Sequence, residues 1–293
     1  MMTSAGLHFR KTVSWASLLV SACITVVFMG SAGRLCAEPL EHNSFAFGAV
    51  EGVASYLNGR MGFEQEPGAP IPGSLNDFRA DLGLPQHIES LRLAVGARPL
   101  EHHALRLYGT VPTVYKGVNL LGRTLQTRRG TYPAGTFVQS TLTTGSIGFG
   151  YDLDFLVGPR WYAGLNLDLK YMHSRVTMSG AGVGLEDTIA IHEMTPCLGA
   201  HGEAKLPISA IRFRRPITLG GFARMLYGVT PNFLNHVDVS VGASLEVRTP
   251  IGPMVSARVG YAHETFMYTQ ELVTGKIFEY DKNGIFLSIA GAF

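Results

Sequence analysis

The sequence predicts an all-β fold, a transmembrane antiparallel β-barrel of about ten strands with long extracellular loops and short periplasmic turns. Three observations lead there. Long segments alternate apolar and polar residues with a period of two, as in YAGLNLDLKYMHSRV (162–176). Only 16% of the residues are charged and the mean hydropathy is +0.17, against roughly 25% charged in ordinary soluble domains. The connections between the alternating segments run long, short, long along the chain, as a membrane barrel requires. Beyond the first forty residues no apolar run reaches the roughly 18 residues of a membrane helix. The formal charge of +2 gives no basic surface for nucleic acid.

The chain opens as an export signal. Arg10 and Lys11 precede an apolar stretch, Val13 to Met29, and Ser31, Ala32, Gly33 and Ala37 supply a small-residue cleavage zone. The expected domains are therefore a signal peptide, 1–37, and a single barrel, 38–293. Cleavage would remove Cys23 and Cys36 and leave Cys197 without a disulfide partner.

Along the mature chain the expected strands are 55–64, 88–97, 104–113, 141–154, 162–176, 191–204, 217–228, 237–248, 255–266 and a terminal strand. In the fifth, Ala163, Leu165, Leu167, Leu169 and Tyr171 face one way; Tyr162, Gly164, Asn166, Asp168 and Lys170 face the other. Residues 237–248 and 255–266 repeat the alternation on either side of a Pro/Gly turn, which makes a hairpin. The register of the first strand is weak and Pro196 interrupts the sixth, so eight to twelve strands fit the pattern. Residues 44–54 read either as an extension of the first strand or as a periplasmic lead-in. Long connections are expected at 65–87, 114–140, 176–190 and 268–282.

The chain ends NGIFLSIAGAF, with Ile285, Leu287, Ile289 and Phe293 on one alternating face. A closed barrel pairs its last strand on both edges, so a terminal apolar row belongs against lipid. Alternation closing on Phe293 also resembles the signal that the bacterial barrel-assembly machinery reads, with Gly291 departing from the bulky residue usual there. SLNDFRADLGLPQHIESLRLAVGARPLEHHALRLYGTVP (74–112) and GTYPAGTFVQSTLTTGSIGFGYDLDF (130–155) resemble small Gram-negative outer-membrane β-barrel proteins of unassigned function, the porin-like and OmpA-like barrels. That resemblance covers most of the mature chain and implies architecture and outer-membrane residence, without chemistry.

The polar faces give a candidate lumen: Arg92, Arg106, Asp152, Asn166, Asp168, Lys170, Glu193, His201, Glu203, Arg224, Asp238, Glu246, Arg248 and Arg258. A ten-stranded barrel is narrow, and charges inside it need partners. These residues then form either a paired network that plugs the barrel or a charged conduit for small polar solutes. The leading function is a structural or porin-like outer-membrane protein. The alternatives are an enzyme at the extracellular rim, a lipid A acyl hydrolase or a protease, or a barrel that binds through its loops.

No residue set reads as catalytic, cofactor-binding or metal-binding. His201 and Glu203 share a strand face, but two ligands fall short of a metal site. His173 and Ser174 are adjacent and point to opposite faces, which opposes a nucleophile–base pair. Glu186–Asp187 and His236 with Asp238 faintly echo the carboxylates of ten-stranded outer-membrane proteases. Expected partners are outer-membrane lipid and lipopolysaccharide, the latter through Arg123, Arg128 and Arg129, and the assembly machinery. Tyr108, Tyr115, Tyr132, Tyr151, Trp161, Tyr162, Tyr171, Tyr227, Tyr261 and Tyr268 are expected near the interfacial girdles.

Overall fold

The computed structural model describes residues 45–62, 75–127, 129–158, 160–208, 217–229, 235–249, 253–270 and 276–293. The signal segment, Arg128 and parts of the expected 65–87, 205–216, 229–236 and 268–282 connections lie outside the described residues. Thirteen strands follow in order: β1 (Ala46–Gly62), β2 (Leu75–Asp77), β3 (His87–Leu100), β4 (His103–Leu120), β5 (Leu125–Gln126), β6 (Thr131–Tyr132), β7 (Phe137–Gly158), β8 (Trp161–Gly180), β9 (Glu186–Ile208), β10 (Ile217–Val229), β11 (Asn235–Arg248), β12 (Met254–Gln270) and β13 (Lys276–Ala292).

Ten of them form an antiparallel barrel that closes where β13 pairs with β1, from Phe47 opposite Ala292 to Gly62 opposite Ile277, and the short β2 joins the same sheet on β1. β12 pairs with the other edge of β13, so the last strand has no free edge. The two chain ends meet: Ala46 N–H donates to Phe293 O, and Phe293 N–H donates to Ala46 O, at 3.3 and 2.8 Å. All ten expected strands are present, and residues 46–54 belong to the first of them. No helix long and apolar enough to cross a membrane occurs among the described residues.

Side-chain phase shows which way the barrel faces. On β8, Leu165, Leu167 and Leu169 are exposed on the outside, while Asn166, Asp168 and Lys170 are buried inside. Trp161 and Tyr171 are exposed at the two ends of that outer row. They lie ten residues apart; at about 3.3 Å per residue and a tilt of about 40° this spans roughly 25 Å, the height of a hydrocarbon belt. Ile285, Leu287 and Ile289 continue the belt on β13, and Val241, Leu245 and Val259 on β11 and β12. A soluble barrel would reverse this polarity.

The reversal does occur, higher up the same strands. Past Tyr171 the inward residues of β8 are Met172, Ser174, Val176 and Met178, all buried, and the outward ones are His173, Arg175 and Thr177. The barrel wall thus continues above the belt as a conventional sheet, apolar inside. This corrects two of the expected long loops: the β8–β9 connection is only 181–185 and the β12–β13 connection 271–275, because paired strand replaces loop. Pro196 leaves β9 intact for a related reason. The β9–β10 ladder ends at Cys197 opposite Gly228, so the missing Pro196 N–H falls beyond it.

The girdle expectation needs a larger correction. Trp161, Tyr171, Tyr227 and Tyr261 face outward, but Tyr115, Tyr132 and Tyr268 are buried inside the upper barrel. Tyr108 and Tyr162 turn inward onto Asp168 and Glu203. Position near a strand end does not fix which face a residue occupies; on β4 a bulge decides it. There Val111 and Pro112 stand opposite Gly145 alone, so inward phase passes from Arg106 and Tyr108 to Tyr115.

Candidate functional site

The barrel interior holds three stacked polar groups and an apolar core above them. Nearest the chain termini, Asp154 accepts Arg98 Nη1 at 2.6 Å and pairs with His201 Nε2 at 2.6 Å. Beside it Glu203 accepts Tyr162 Oη at 2.9 Å and Ser244 Oγ at 3.1 Å and faces Arg258 at 3.5 Å. Lys205 bridges Glu246 at 2.7 Å and Glu203 at 3.5 Å. His201 and Glu203 therefore share a face but serve different partners.

The middle group centres on Asp168. It receives Arg106 at 3.0 Å, Arg224 at 2.9 Å and Tyr108 Oη at 2.6 Å, while Arg106 Nε reaches Asp152 at 3.0 Å. Both guanidinium groups stand over the Tyr108 ring. Asn166 donates to Asp152.

In the upper group Lys170 Nζ lies 3.0 Å from His236 Nε2, 3.1 Å from Glu264 and 3.4 Å from Asp238. A lysine ammonium only donates, so His236 accepts at Nε2. Arg92 pairs with Glu51 at 3.4 Å and Glu264 at 3.6 Å, and Lys282 lies 3.9 Å from Glu264. The ligand atoms of His236, Asp238 and Glu264 lie within 4.8 Å of one another, a spacing that would suit a metal ion. The Lys170 ammonium stands among them, so the trio already holds a cation that the chain supplies.

Arg92, Arg106, Asp168, Lys170, His201, Glu203, Arg224, Asp238, Glu246 and Arg258 thus all point into the lumen and divide among these three groups. Glu193 takes the inward phase of β9 higher up, half-buried. Arg248, the last residue of β11, is exposed at the rim instead, because the strand ends there and its side chain clears the wall. Sequence reasoning missed Glu51, Tyr108, Asp154, Glu264 and Lys282. Lys282 fell in an expected loop, and Glu264 lies near the polarity reversal of β12.

Above Lys170 the filling turns apolar. Leu142, Met172, Ile191, Phe266, Phe278 and Tyr280 close over the upper group. Residues 75–84 fold down into the mouth, where Phe78, Leu82 and Leu84 join the same core. The β5–β6 hairpin adds Leu125 and Tyr132. Two of the arginines expected to meet lipopolysaccharide, Arg123 and Arg129, clamp these segments together. Arg123 grips Asp81 at 2.6 and 3.1 Å and the Leu75 carbonyl at 2.7 Å, and the Asp81 hydrogen bonds raise the basicity of its guanidinium. Arg129 reaches the Glu186 carbonyl at 3.0 Å. Asp187 is buried and accepts Thr127 and Tyr132 hydroxyls; burial first, and then this carboxylate, raise the Tyr132 phenol above its usual range. Neither acid–histidine echo forms an open rim dyad: Asp187 is locked in this clamp, and His236 and Asp238 sit below the apolar core. Ser174 is buried inward while His173 faces out.

A chamber of about 340 Å³ remains among the lower and middle groups, lined by Arg98, Arg106, Tyr162, Glu203, Arg224 and Arg258 and reaching Phe47 and Ala292 at the terminal end. A cavity of about 150 Å³ adjoins it at Glu51, Arg106 and Arg224.

No family model matches the chain, and no curated protein matches it. Among solved structures it is similar to the transport unit of the autotransporter AIDA-I from Escherichia coli, at 9% identity over 93% of this chain and 97% of that one, TM-score 0.44. The outer membrane protease OmpT from Escherichia coli gives 10% identity over 89% and 99%, TM-score 0.41. The P. putida toluene transporter TodX gives 9% over 85% and 90%, TM-score 0.27. The assignment to a ten-stranded barrel of the outer-membrane kind rests on this chain's own strand pairing and surface polarity.

Proposed function

We infer that this protein is an integral outer-membrane barrel of structural type, exported by its signal segment, whose resting lumen is closed to steady solute flow. The observation that carries this reading is the stacking of a charge-compensated network beneath a continuous apolar core. A hydrated ion entering from outside would have to cross buried Leu142, Phe266 and Phe278. It would then have to displace Lys170 or Arg92 from carboxylates that need them. The apolar belt supports membrane residence, and the Ile285, Leu287, Ile289 and Phe293 row supports delivery by the assembly machinery.

Planar-bilayer recording on the refolded protein tests the reading, with heat-modifiable gel migration as the check on folding. Folded protein that stays silent at low voltage is the expected result. Steady, ion-selective steps from the same material would replace it with the porin reading and make the Asp168 and Glu264 groups the selectivity filter.

A further inference from the structure

The β4 bulge leaves a mark on the outside of the barrel. Between β3 and β7 the outer wall sinks into a groove of about 540 Å³ walled by Leu93, Val95, Leu107, Val111 and Ile147. Its floor is Gly109 and Gly145, positions where a side chain would fill the space: a Cβ on Gly145 would meet Pro112 at 3.1 Å. The groove is almost wholly apolar and lies in the upper part of the belt.

Its upper lip is polar. Tyr171 and His173 line it. Tyr171 Oη and His192 Nδ1 are hydrogen-bonded at 2.8 Å, and His173 Nδ1 lies 3.2 Å from the same nitrogen. Arg175 is exposed two residues above His173 on the same outward face, about 7 Å on. Lys116 of β4 faces outward one register step higher, across Thr141 and Thr177. The outward acids of this sector among the described residues include Glu89 on β3, the far side of the groove from Arg175, and Glu186 at the start of β9, opposite Ser179 and beyond Arg175. On the opposite wall the same level carries Glu279 and Asp281.

An apolar groove at the top of a lipid-facing belt, capped by an arginine, two imidazoles and a phenol, matches an amphiphile with an acyl chain and an anionic head. Guanidinium and imidazole N–H groups suit phosphate oxygens. We propose that this groove is a specific site for a phosphate-bearing lipid of the outer leaflet, its acyl chain between β3 and β7 and its phosphate against His173, Arg175 and His192. Burial, His192 and Arg175 lower the His173 imidazole from its usual range, so Arg175 is the standing positive charge at neutral pH. The inference rests on the barrel being membrane-embedded, and is independent of whether the lumen conducts.

The test is native mass spectrometry of the full-length protein extracted from membranes in detergent, given equal amounts of bisphosphorylated lipid A and its dephosphorylated form. Heat-modifiable migration of each sample reports separately whether the barrel has formed. The site predicts at least five-fold preferential retention of the phosphorylated lipid. Arg175→Ala with His173→Ala should abolish the preference, and Arg175→Glu, at an exposed position that the fold tolerates, should reverse it. Val95→Trp, which fills the groove, should lower retention of both lipids together. Equal retention of the two lipids by folded wild-type protein overturns the proposal, as does a preference that survives Arg175→Glu. Displacement of the lipid by millimolar inorganic phosphate, with Val95→Trp behaving as wild type, also overturns it, since it would describe an anion site without an acyl-chain groove.

Discussion

Two halves of one strand obey opposite rules. On β8 from Trp161 to Tyr171 the outward residues are apolar and the inward ones charged; from Met172 to Gly180 the inward residues are apolar and the outward ones polar. Strand geometry is the same throughout, and the ladder to β7 and β9 runs unbroken across the boundary. Only the solvent changes. On the proposed membrane reading, the exterior below Tyr171 meets hydrocarbon, which makes apolar groups neutral outside and forces charges inward to find partners. Above it the exterior meets water, and burial of apolar surface regains its driving force. The interface is therefore written into side-chain phase, at about the level where Lys170 gives way to Met172.

Substitutions on the two sides of that boundary should behave as opposites. The largest effects belong to the inner face. Lys170→Ala leaves Glu264 and Asp238 without the ammonium they share, and should cost about 3–5 kcal/mol. Phe266→Ala empties the core immediately above, and should cost about 3–5 kcal/mol through a cavity instead of a stranded charge. Reversible urea unfolding in lipid vesicles measures both. Refilling the lost volume separates the two: Lys170→Met should keep most of its loss and Phe266→Leu should recover most of its own; equal recovery in both would mean that the two layers are not chemically distinct.

The outer face sharpens the contrast at lower amplitude. Leu167→Arg puts a charge near the middle of the belt and should cost about 2–4 kcal/mol. Thr177→Arg makes a comparable change on the same face of the same strand, above the belt, and should stay within about 0.5 kcal/mol. Equal penalties at the two sites would mean that the membrane extends over the upper hairpins and that Tyr171 is no interface residue.

How much of this could be read from sequence follows from the same physics. Period-two alternation is local, so YAGLNLDLKYM disclosed its strand, its lipid row and its lumen row without any partner. The reversal at Met172 was legible only as a loss of pattern, which is why 176–190 looked like a loop although HSRVTMSG keeps the alternation with the faces exchanged. Glu264 and Lys282 escaped notice for that reason, one beside a reversal and one in a supposed loop. Tyr115 went to the wrong face because the bulge at Val111 and Pro112 exchanges the phase of β4 before it, and bulges are set by pairing with β7. Which carboxylate meets which cation is wholly non-local: Lys170 finds Glu264 across 94 positions of sequence.

The proposed lipid groove yields a smaller, pH-dependent effect. Burial, His192 and Arg175 hold His173 below its ordinary range, so it is largely neutral at pH 7 and Arg175 is the standing charge beside it. A bound phosphate favours the protonated imidazole, so binding takes up a proton and tightens as the pH falls through the imidazole range. A few-fold gain in phosphorylated-lipid retention between pH 7.5 and 5.5, by the usual His range of about 6.5, should vanish in His173→Ala with His192→Ala while Arg175 keeps the basal preference.

The smallest thermodynamic effect tests the mouth of the barrel. Arg123 is half-exposed, so Arg123→Ala should change global stability by about 1 kcal/mol or less. Its local effect should be larger than that figure suggests. Asp81 would keep the Asp77 N–H but lose both guanidinium bonds, and the Leu75 carbonyl would lose its donor. The remaining ties of 75–84 to the wall include the short β1–β2 ladder, the Phe78 N–H on the Gly59 carbonyl, the Asn119 amide on the Ala80 and Asp81 carbonyls, and the buried Phe78, Leu82 and Leu84. If the apolar core alone holds this segment down, protease cleavage within 75–84 should not change in Arg123→Ala, and bilayer recordings should stay silent. If the clamp matters, cleavage there should quicken several-fold while the unfolding midpoint barely moves, because local opening has its own free energy, separate from global unfolding. Brief conductance events in the same variant would then mean that residues 75–84 are the removable part of the closure and the ion network beneath them is permeable once uncovered. Faster cleavage without conductance would place the seal lower, at Lys170 and Glu264.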